Sequence, residues 1–440
     1  MKERVVLLII ITFLISFLVV FQNYFNTMWA IIFLIGLMSL YSFYMYCAMK
    51  YRKRKLKKNP PVINQNYHPF VSIFIPCHNE AEVIKDTALN ILNLDYNDFE
   101  MILIDDRSTD NTSEIIKELS STHEKIKYLI REKTAKSGKS AVLNDAFKMA
   151  KGEAILVFDA DAKVKSDFLS KMIVELEPAD IGAVQARKVI INSSQNFLTK
   201  CQNNEYILDA QLQTGRDAVR GAVELRGNGE LIKRQALLSI NGWNEETIVD
   251  DLDMSTRLHL KGWDIRFMPD VEVYEEGVVD FCALIRQRRR WVEGSIRRYL
   301  EYAQDVFTSK DMSLRVGFDL IAYISEFLLP FWLIAEIFIQ AFHFVKGDEN
   351  CILSSVILVL TTGIFFTCYF IYSLKKYLNL KFFDGFREAV LTSIYFITIW
   401  FPIAMFIIFK IVFTKKTMDW GKTQHGVSQM NNEGMLNGNN

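Results

Sequence analysis

Two aspartates, Asp159 and Asp161, stand one residue apart in the stretch AILVFDADAKV. They follow the apolar run at residues 154–158, which has the length and composition of a buried strand. Because alternate residues of an extended segment can face the same way, both carboxylates can reach the sheet edge where that strand ends. One can bind a divalent metal ion there and the other a sugar hydroxyl, since Mg²⁺ takes one or two carboxylates together with water and substrate phosphates.

A second acidic cluster, in the stretch EETIVDDLDMSTRLHLKGW at residues 245–263, contains Asp250, Asp251 and Asp253. Acidic residues in the first turn of a helix complement the positive end of its dipole, and this capping role accounts for Asp253. Three acids are more than a helix cap requires. The cluster is therefore a second candidate site.

A basic stretch, IRQRRRWVEGSIRRYL at residues 285–300, contains Gln287, Arg290 and Trp291 in the order Q-x-x-R-W. Arginine binds phosphate through paired hydrogen bonds, and tryptophan offers a flat apolar face to a sugar ring. The alternative is an amphipathic helix at a membrane surface. The arginines that would then bind anionic lipid headgroups are Arg288, Arg289, Arg297 and Arg298.

Short apolar runs near residues 70–76, 100–104, 126–130 and 154–158 alternate with helical patterns. This order predicts an α/β domain in which a mostly parallel sheet is covered by helices on both faces. Ligands of such sheets bind beyond the carboxyl ends of the strands. The polar residues that follow the predicted strand ends are Asn79, Glu80, Asp105, Asp106, Asp159 and Asp161.

Two common nucleotide-binding motifs are not matched. The stretch KTAKSGKS at residues 133–140 ends like a phosphate-binding P-loop, but Lys133 stands where that motif requires its first glycine. No GxGxxG fingerprint of a dinucleotide-binding domain follows the first predicted strand. The sequence therefore disfavours an ATPase and a dehydrogenase.

The chain has 440 residues, half of them hydrophobic, and equal numbers of basic and acidic residues, 51 of each. Apolar runs at residues 5–22 and 29–49 are each long enough to cross a bilayer, which takes about 20 residues. A basic block at residues 51–58 follows, so the positive-inside rule predicts a helical hairpin with both ends in the cytoplasm. A basic block beside a membrane helix indicates topology and lipid headgroups rather than nucleic acid.

Further apolar runs occupy residues 318–345, 351–374 and 389–413. Three crossings would place the C-terminal tail outside, whereas its lysines favour the cytoplasm, so the number of crossings stays open. The run at 318–345 contains Glu326 and Glu336, which makes it the least lipid-like and leaves a re-entrant or interfacial segment as the alternative.

These patterns predict four regions. They are a transmembrane hairpin with its basic block (1–58), a cytoplasmic α/β domain ending in an interfacial helix (59–315), a C-terminal transmembrane region (316–413) and a polar tail (414–440). The six cysteines show no CxxC pair and no metal-ligand spacing, as expected in a reduced cytoplasm. We therefore expect a multi-pass protein of the plasma membrane with its catalytic domain in the cytoplasm.

Seven motifs occur in a fixed order: PCHNE, DDRSTD, SGKSAVLNDA, FDADA, RGNGELIKR, VDDLD and QRRRW. This ordered set resembles the processive, membrane-embedded family 2 glycosyltransferases, which include cellulose, hyaluronan and poly-β-1,6-N-acetylglucosamine synthases. The resemblance covers about residues 70–300 and the flanking apolar runs. It implies a GT-A fold, the Rossmann-like fold of transferases that use nucleotide-diphospho-sugars.

The resemblance also implies which residues bind the donor. Those that would contact the uridine or lie near the nucleotide are Asn79, Glu80, Asp106 and Lys139. Asp159 and Asp161 would hold Mg²⁺ or Mn²⁺ and the donor diphosphate, with Asp161 the more direct metal ligand.

On the acceptor side, Asp251 matches the catalytic base of the family's Glu-Asp pair, although Asp250 stands where glutamate is usual. The residues implied in binding the acceptor and the diphosphate are Gly227, Asn228, Gly229, Gln287, Arg290 and Trp291. The tail stretch WGKTQHG at residues 420–426 is similar to a loop that some of these synthases place over the active site.

The main hypothesis is an inverting transferase that adds sugar from UDP-N-acetylglucosamine or UDP-glucose to a growing β-linked polysaccharide and exports it, most like poly-β-1,6-N-acetylglucosamine synthase. Its partners would be the UDP-sugar, a polysaccharide or glycolipid acceptor, the bilayer and an accessory membrane or export subunit, with no nucleic acid. The alternative with the same chemistry transfers one sugar to a membrane lipid. A third hypothesis is a non-catalytic membrane scaffold that only binds nucleotide.

Overall fold

The described part of the chain comprises, in a computed structural model, residues 12, 27–59, 64, 66–347 and 350–414. Apart from residue 12, the predicted first membrane helix at residues 5–22 lies outside the described residues. The tail loop at residues 420–426 also lies outside them.

The strands, in chain order, are β1 (Val71–Cys77), β2 (Phe99–Asp105), β3 (Ile126–Ile130), β4 (Ala154–Val157), β5 (Lys163–Val164), β6 (Ile181–Ile190), β7 (Glu230–Lys233) and β8 (Asp264–Glu275). Within the described residues they form one sheet in the order β3-β2-β1-β4-β7-β6-β8-β5. The strands β1 to β4 are parallel to one another, and β6 is parallel to β8. The strand β7 is antiparallel to β4 and β6, and β5 is antiparallel to β8.

The sheet is therefore mixed, and the prediction of a mostly parallel sheet is wrong beyond β4. The difference matters because β7 begins where β4 ends: Glu230 pairs with Val157. The segment 226–229, which leads into β7, consequently arrives at the same sheet edge as Asp159. A parallel β7 would have started at the opposite edge.

The helices are α1 (Thr27–Lys58), α2 (Ile84–Leu92), α3 (Thr112–Thr122), α4 (Lys139–Met149), α5 (Phe168–Ile173), α6 (Phe197–Val219), α7 (Arg234–Ser239), α8 (Asp250–Leu260), α9 (Phe281–Thr308), α10 (Leu314–Val345), α11 (Asn350–Leu378), α12 (Phe382–Tyr395) and α13 (Phe401–Phe413). A short 3₁₀ helix follows α5, and a π-helical turn at Phe396–Trp400 joins α12 to α13.

Side chains of the sheet alternate between two cores. Ile73 of β1 and Met101 of β2 belong to one core, which α2, α3 and α5 cover. Their neighbours Phe74 and Ile102 belong to the other, which α4, α7 and α8 cover. Because all four side chains are fully buried, the prediction that helices cover both faces is confirmed.

A third core joins α9 to the C-terminal helices, where Leu284 and Val292 pack with Ile399 and Ile407. Within the described residues, one helical stretch, Phe382–Phe413, is long and apolar enough to cross a membrane; an 18-residue window of it has a mean hydropathy of 2.3. The multi-pass arrangement is not shown and stays a prediction. The helix α10 continues without a break through the segment for which a re-entrant turn was the alternative.

Candidate active site

A cleft of about 270 Å³ opens at the sheet edge where β1 and β4 end and β7 begins. The predicted site residues that line it are Glu80, Lys139, Asp159, Asp161, Gly227, Asp251, Gln287, Arg290 and Trp291. Asn79, Asp106, Asn228 and Gly229 are not among its lining residues. The fold thus gathers side chains from both ends of the α/β domain into one cleft.

Lys139, the first residue of α4, links two segments of the cleft. Its Nζ donates to Oδ1 of Asp159 over 2.6 Å and to the carbonyl oxygen of Gly227 over 2.9 Å. Burial alone lowers the pKa of Lys139, but the negative charges of Asp159 and Asp250 act against it, and the pKa is raised. Lys139 is therefore a cation at neutral pH, well placed to face an anionic ligand.

Asp159 and Asp161 are each held by a hydrogen bond to a residue distant in the chain. The amide of Asp159 donates to Oδ1 of Asn228 over 3.2 Å, and Oδ2 of Asp161 accepts from the amide of Glu276 over 3.1 Å. No cluster of three or more metal-binding side chains occurs in the described ranges. Two carboxylates facing an open cleft still suit Mg²⁺ or Mn²⁺, since such ions fill the other positions with water and phosphate oxygens.

The segment 226–229 packs tightly against Asp251 on one side and Val273 on the other. Gly227 and Gly229 have left-handed backbone, with φ of +76° and +68°. A Cβ on Gly227 would lie 3.1 Å from Oδ2 of Asp251, and one on Gly229 would lie 2.9 Å from Cγ1 of Val273. Glycine is required here both for the backbone conformation and for the close approach.

Asn228 lies under the cleft and not at its surface. Its side chain is fully buried, accepts from the amide of Asp159, and donates from Nδ2 to Oε2 of Glu275 over 3.0 Å. The resemblance implied that Asn228 and Gly229 contact the acceptor. Neither residue lines the cleft in this structure, so that role stays a prediction. Their position makes them supports for Asp159 and for β8.

Asp251 lies at the start of α8, partly buried in the cleft wall. Its Oδ1 accepts from the amide of Leu252 over 2.8 Å. Burial and the adjacent charge of Asp250 raise the pKa of Asp251 to about 6, against the lowering effect of Arg226. A carboxylate that titrates close to neutrality is well suited to accept a proton from a hydroxyl group.

Glu230 is an acid that the sequence analysis missed. It opens β7, is fully buried, and neither carboxylate oxygen has a hydrogen-bond partner among the described residues. Burial and the nearby Asp250 raise the pKa of Glu230 well above its ordinary value, against the opposing charge of Lys139. These surroundings favour its neutral form, and the motif RGNGEL was the sequence signal that could have marked it.

The Q-x-x-R-W residues of α9 form the opposite wall. Arg290 lines the cleft; burial lowers its pKa, and the carboxylates of Asp250, Asp251 and Asp159 act against that shift. The ring of Trp291 has Cζ of Arg288 at 4.2 Å from its centroid. The wall therefore combines a cation with a flat aromatic face, as the motif predicted.

The residues expected at the uridine divide into two groups. Glu80 lines the cleft, whereas Oδ1 of Asn79 accepts from the amide of Thr109 over 2.6 Å. Asp106 is fully buried, and its carboxylate accepts from Arg107 over 2.8 Å and from Arg131 over 2.6 Å. In this structure Asn79 and Asp106 stabilise the loops that follow β1 and β2, and their contact with the uridine stays a prediction.

Comparison with known proteins identifies the domain. Residues 68–294 match the family described as glycosyltransferase like family 2. The chain belongs to this family. The predictions of an enzyme that transfers glycosyl groups and of a GT-A fold are thereby confirmed, while the position of the site and the role of each residue stay predictions.

The relatives of this family 2 glycosyltransferase include synthases of a glycolipid and of a polysaccharide. It is 42% identical over 305 residues to a β-monoglucosyldiacylglycerol synthase of Nostoc sp., which covers 69% of this chain and 64% of the relative. It is 30% identical over 248 residues to a poly-β-1,6-N-acetyl-D-glucosamine synthase of Staphylococcus epidermidis, covering 56% of this chain and 59% of the relative. The chain thus spans less than two thirds of these relatives, and the specific resemblance to poly-N-acetylglucosamine synthases is not confirmed.

A solved structure supports the fold of the transferase. The mannosyltransferase PcManGT of Pyrobaculum calidifontis, in complex with GDP-Man and Mn²⁺, superimposes with a TM-score of 0.59 at 21% identity. The match covers 83% of this chain and 98% of that chain. At this identity the likeness concerns the fold alone.

Arg288 stands beside the motif residues of the transferase. The alternative of an amphipathic helix at a membrane surface assigned it to lipid headgroups, and that assignment is wrong. Arg288 is fully buried; its Nη2 donates to Oε2 of Glu205 over 2.9 Å, and the hydroxyl of Tyr395 donates to the same oxygen over 2.8 Å. Arg288 also donates to the side chain of Gln287. The buried Arg297 and Arg298 likewise pair with Glu293 and Glu224.

Lys188 is another residue of the cleft that the sequence did not reveal. It lies near the end of β6, pairs with Oε1 of Glu275 over 2.9 Å, and has its Nζ 5.8 Å from the centroid of the Trp291 ring. A single lysine in the strand IGAVQARKVI belongs to no motif. Only the parallel pairing of β6 with β8 brings it to the site.

Proposed function

We propose that this family 2 glycosyltransferase transfers a single hexose from a UDP-sugar, UDP-glucose, to the free hydroxyl of a diacylglycerol. The observation that carries the proposal is its greater similarity to diacylglycerol glucosyltransferases than to polysaccharide synthases. Identity is 42% and 37% to two β-monoglucosyldiacylglycerol synthases, against 30% to a poly-N-acetylglucosamine synthase. Single addition to a membrane lipid thus replaces processive synthesis as the preferred hypothesis.

The cleft can perform this reaction by direct displacement. The oxygen of the acceptor hydroxyl attacks the anomeric carbon, Asp251 takes the hydroxyl proton, and the bond between that carbon and the donor diphosphate breaks. Attack from the face opposite the leaving group inverts the configuration at the anomeric carbon. The pKa of Asp251, raised to about 6 by burial and by Asp250, leaves it deprotonated at neutral pH and yet basic enough to assist.

Cations in the cleft would stabilise the departing nucleoside diphosphate. Lys139 and Arg290 both line the cleft and are the side chains that suit its phosphate oxygens. Asp159 and Asp161 would hold Mg²⁺ or Mn²⁺, which when bound neutralises charge on the diphosphate. Trp291 would present its ring to the sugar or to the glycerol of the acceptor.

The proposal also places the enzyme at the membrane where its acceptor resides. The helix Phe382–Phe413 is apolar enough to cross it, and the apolar runs at residues 29–49 and 351–374 would add further crossings. The catalytic domain would lie on the cytoplasmic side, next to the basic block at residues 51–58.

A direct assay tests the proposal. The purified full chain is incubated in lipid with Mg²⁺ or Mn²⁺, dioleoylglycerol and a panel of UDP-sugars, and UDP release and lipid products are measured. We expect a monohexosyl diacylglycerol whose formation depends on the divalent cation. A polymeric product without glycolipid would restore the processive hypothesis, which the Q-x-x-R-W motif and the 30% relative favour.

A further inference from the structure

A second cavity, of about 670 Å³, lies beside the α/β domain and is bounded by α1, α6 and α11. The lining residues that matter here are Ser42, Met45, Leu212, Gly215, Cys368 and Tyr372. Most of the other side chains that line it are aliphatic or aromatic. Such a surface suits hydrocarbon and offers too few hydrogen-bonding groups for a sugar or a nucleotide.

The helix α6 connects this cavity to the catalytic cleft. Asp209 of α6 accepts from Nη2 of Arg226 over 2.6 Å, and Arg226 lines the cleft. Leu212, three residues later on the same face of the helix, lines the cavity. At about 1.5 Å of rise per residue the two positions are only about 5 Å apart along the helix axis.

One end of the cavity is polar. The side chain of Gln211 is buried; its Oε1 accepts from Nζ of Lys376 over 2.9 Å, and its Nε2 lies 3.4 Å from Sδ of Met49. At Gly215, a Cβ would lie 2.9 Å from Sδ of Met45, so glycine allows α1 to pack directly on α6. The cavity therefore has an apolar interior, a tight α1–α6 contact and a polar rim. Such a lining is complementary to an amphiphilic molecule.

The predicted membrane crossings would place the cavity at the depth of one leaflet. Its α1 and α11 linings belong to apolar runs predicted to cross the membrane, and cations follow each run: Lys50 and Arg52 after one, Lys375 and Lys376 after the other. By the positive-inside rule these cations mark the cytoplasmic surface. A diacylglycerol in the cytoplasmic leaflet would have its hydroxyl at the level of the catalytic domain.

We infer that this cavity binds an acyl chain of the acceptor lipid while the lipid's hydroxyl reaches Asp251 along α6. The inference rests on the proposed function, because it assumes that the acceptor is a diacylglycerol. The cavity would select acceptors with a long hydrocarbon chain, through contacts with Ser42, Leu212 and Cys368. The donor side of the cleft has no part in it.

Filling the cavity tests the inference kinetically. Ser42→Phe places a large side chain into the cavity, and Cys47→Phe makes a similar change on the same helix at an exposed position outside it. We expect Ser42→Phe to lower kcat/KM for dioleoylglycerol roughly ten-fold or more while dibutyrylglycerol is used nearly as before. Cys47→Phe should leave both values unchanged. Cys368→Phe serves as a second filling variant if Ser42→Phe does not fold.

A binding measurement separates this inference from the proposed function. Dioleoylglycerol carrying a photoreactive diazirine on one chain is cross-linked to the full chain, and the labelled residues are mapped by mass spectrometry. We expect labels at residues 35–49 and 364–372, lost in Ser42→Phe and retained in Asp251→Asn.

The outcomes are distinct. Glycolipid synthesis with labels elsewhere, and with Ser42→Phe fully active on dioleoylglycerol, would overturn the acyl-chain site and leave the proposed function standing. Labels in the cavity without transfer to any diacylglycerol would retain the lipid site and overturn the proposed function. If another segment, such as residues 5–22, covers the cavity, the photolabel will not reach α1 and α11 at any lipid concentration, and the inference fails.

Discussion

The two walls of the catalytic cleft are held in place by different interactions. The strand wall consists of Asp159, Asp161 and the segment 226–229, and the helix wall consists of Gln287, Arg290 and Trp291 of α9. Backbone pairing fixes the strand wall: Val157 is paired with Glu230, and the amide of Gly229 donates to the carbonyl of Val157 over 3.0 Å.

Buried charges fix the helix wall. Arg288 lies between the motif residues of α9 and pairs with Glu205 of α6, which also accepts from Tyr395 next to the π-helical turn. Arg298 donates to the fully buried Glu224 over 2.6 Å. The strand wall therefore depends on the sheet, whereas the helix wall depends on a few buried ion pairs and on a hydrogen bond from Tyr395 of the C-terminal helices.

The largest effect is expected between the two walls, at Asp251. Asp251→Asn removes the base and should lower the rate of glycosyl transfer by about 10²- to 10⁴-fold, since general-base catalysis is typically worth that much. Steady-state UDP release measures the loss, and calorimetry with the UDP-sugar should show nearly unchanged donor binding. Wild-type turnover in this variant would show that another group takes the proton.

The helix wall should be the more fragile one. Glu205→Gln leaves the buried Arg288 without its counter-charge, and breaking such a pair typically costs about 3–5 kcal/mol of unfolding free energy. Denaturation of the full chain in detergent measures this loss. The double variant Glu205→Gln with Arg288→Met should recover much of the stability, because no unpaired charge then remains.

A matched control for the buried pair is the exposed one between Asp167 and Lys171. Asp167→Asn should change the unfolding free energy by no more than about 1 kcal/mol, since solvent screens surface pairs. If Glu205→Gln had no larger effect than this control, the helix wall would not depend on buried charge. In the fraction of Glu205→Gln that stays folded, a rise in KM for the acceptor without a rise in KM for the UDP-sugar would identify Arg288 as a positioning residue.

On the strand wall, Asp161→Ala should change how the enzyme uses its metal. Removing one of two carboxylates weakens the site for a divalent cation, so we expect a roughly ten-fold higher Mn²⁺ concentration for half-maximal activity. Titration of activity with MnCl₂ measures the shift. An unchanged titration curve would exclude Asp161 as a ligand and leave Asp159 alone in that role.

The fixed backbone of the strand wall can be tested at Gly229. Gly229→Ala would force a Cβ to 2.9 Å from Val273 in left-handed backbone and should cost about 1–3 kcal/mol of unfolding free energy. Gly347 is also left-handed but has nothing within 4 Å of an added Cβ. Gly347→Ala isolates the backbone strain, and an equal loss in both variants would show that the contact with Val273 is soft.

Local sequence patterns predicted which residues come together in the cleft better than they predicted the order and direction of the strands. Strands β1 to β4 end where apolar runs end, so the rim position of Asp159 and Asp161 followed from the sequence. The motifs around Asp251 and Trp291 predicted that these residues join the same site. Each of these predictions depended on a run of residues with a recognisable composition.

What the sequence did not reveal depends on pairing between distant segments. The four residues ELIK of β7 carry no sign of strand direction, and its antiparallel pairing brings Glu230 and Asn228 beneath the cleft. The partnership of Arg288 with Glu205 likewise joins helices far apart in the chain. Arginines in an amphipathic pattern look alike in sequence whether they meet lipid headgroups or buried glutamates.

The smallest predicted effect, a pH dependence, connects the two walls through Asp251. Because burial and Asp250 raise the pKa of Asp251 from 3.8 to about 6, activity should rise with pH and level off above about 6. Stability should move the other way: the folded state retains its proton more tightly than the unfolded chain, so this group's contribution to stability falls as pH rises from 3.8 to about 6. Asp251→Asn lacks the titrating group and should not show that decline.

Denaturation of wild type and Asp251→Asn at a series of pH values across this window, alongside wild-type activity, tests both trends. With rising pH, wild-type activity should increase while the stability of wild type relative to Asp251→Asn decreases. Such opposite slopes would indicate that Asp251 is held at a free-energy cost in the position where it acts. Parallel stability curves for wild type and variant would mean that burial and the charge of Asp250 do not raise the pKa of Asp251 in the folded protein. In that case the strand and helix walls would determine the geometry of the base but not its basicity.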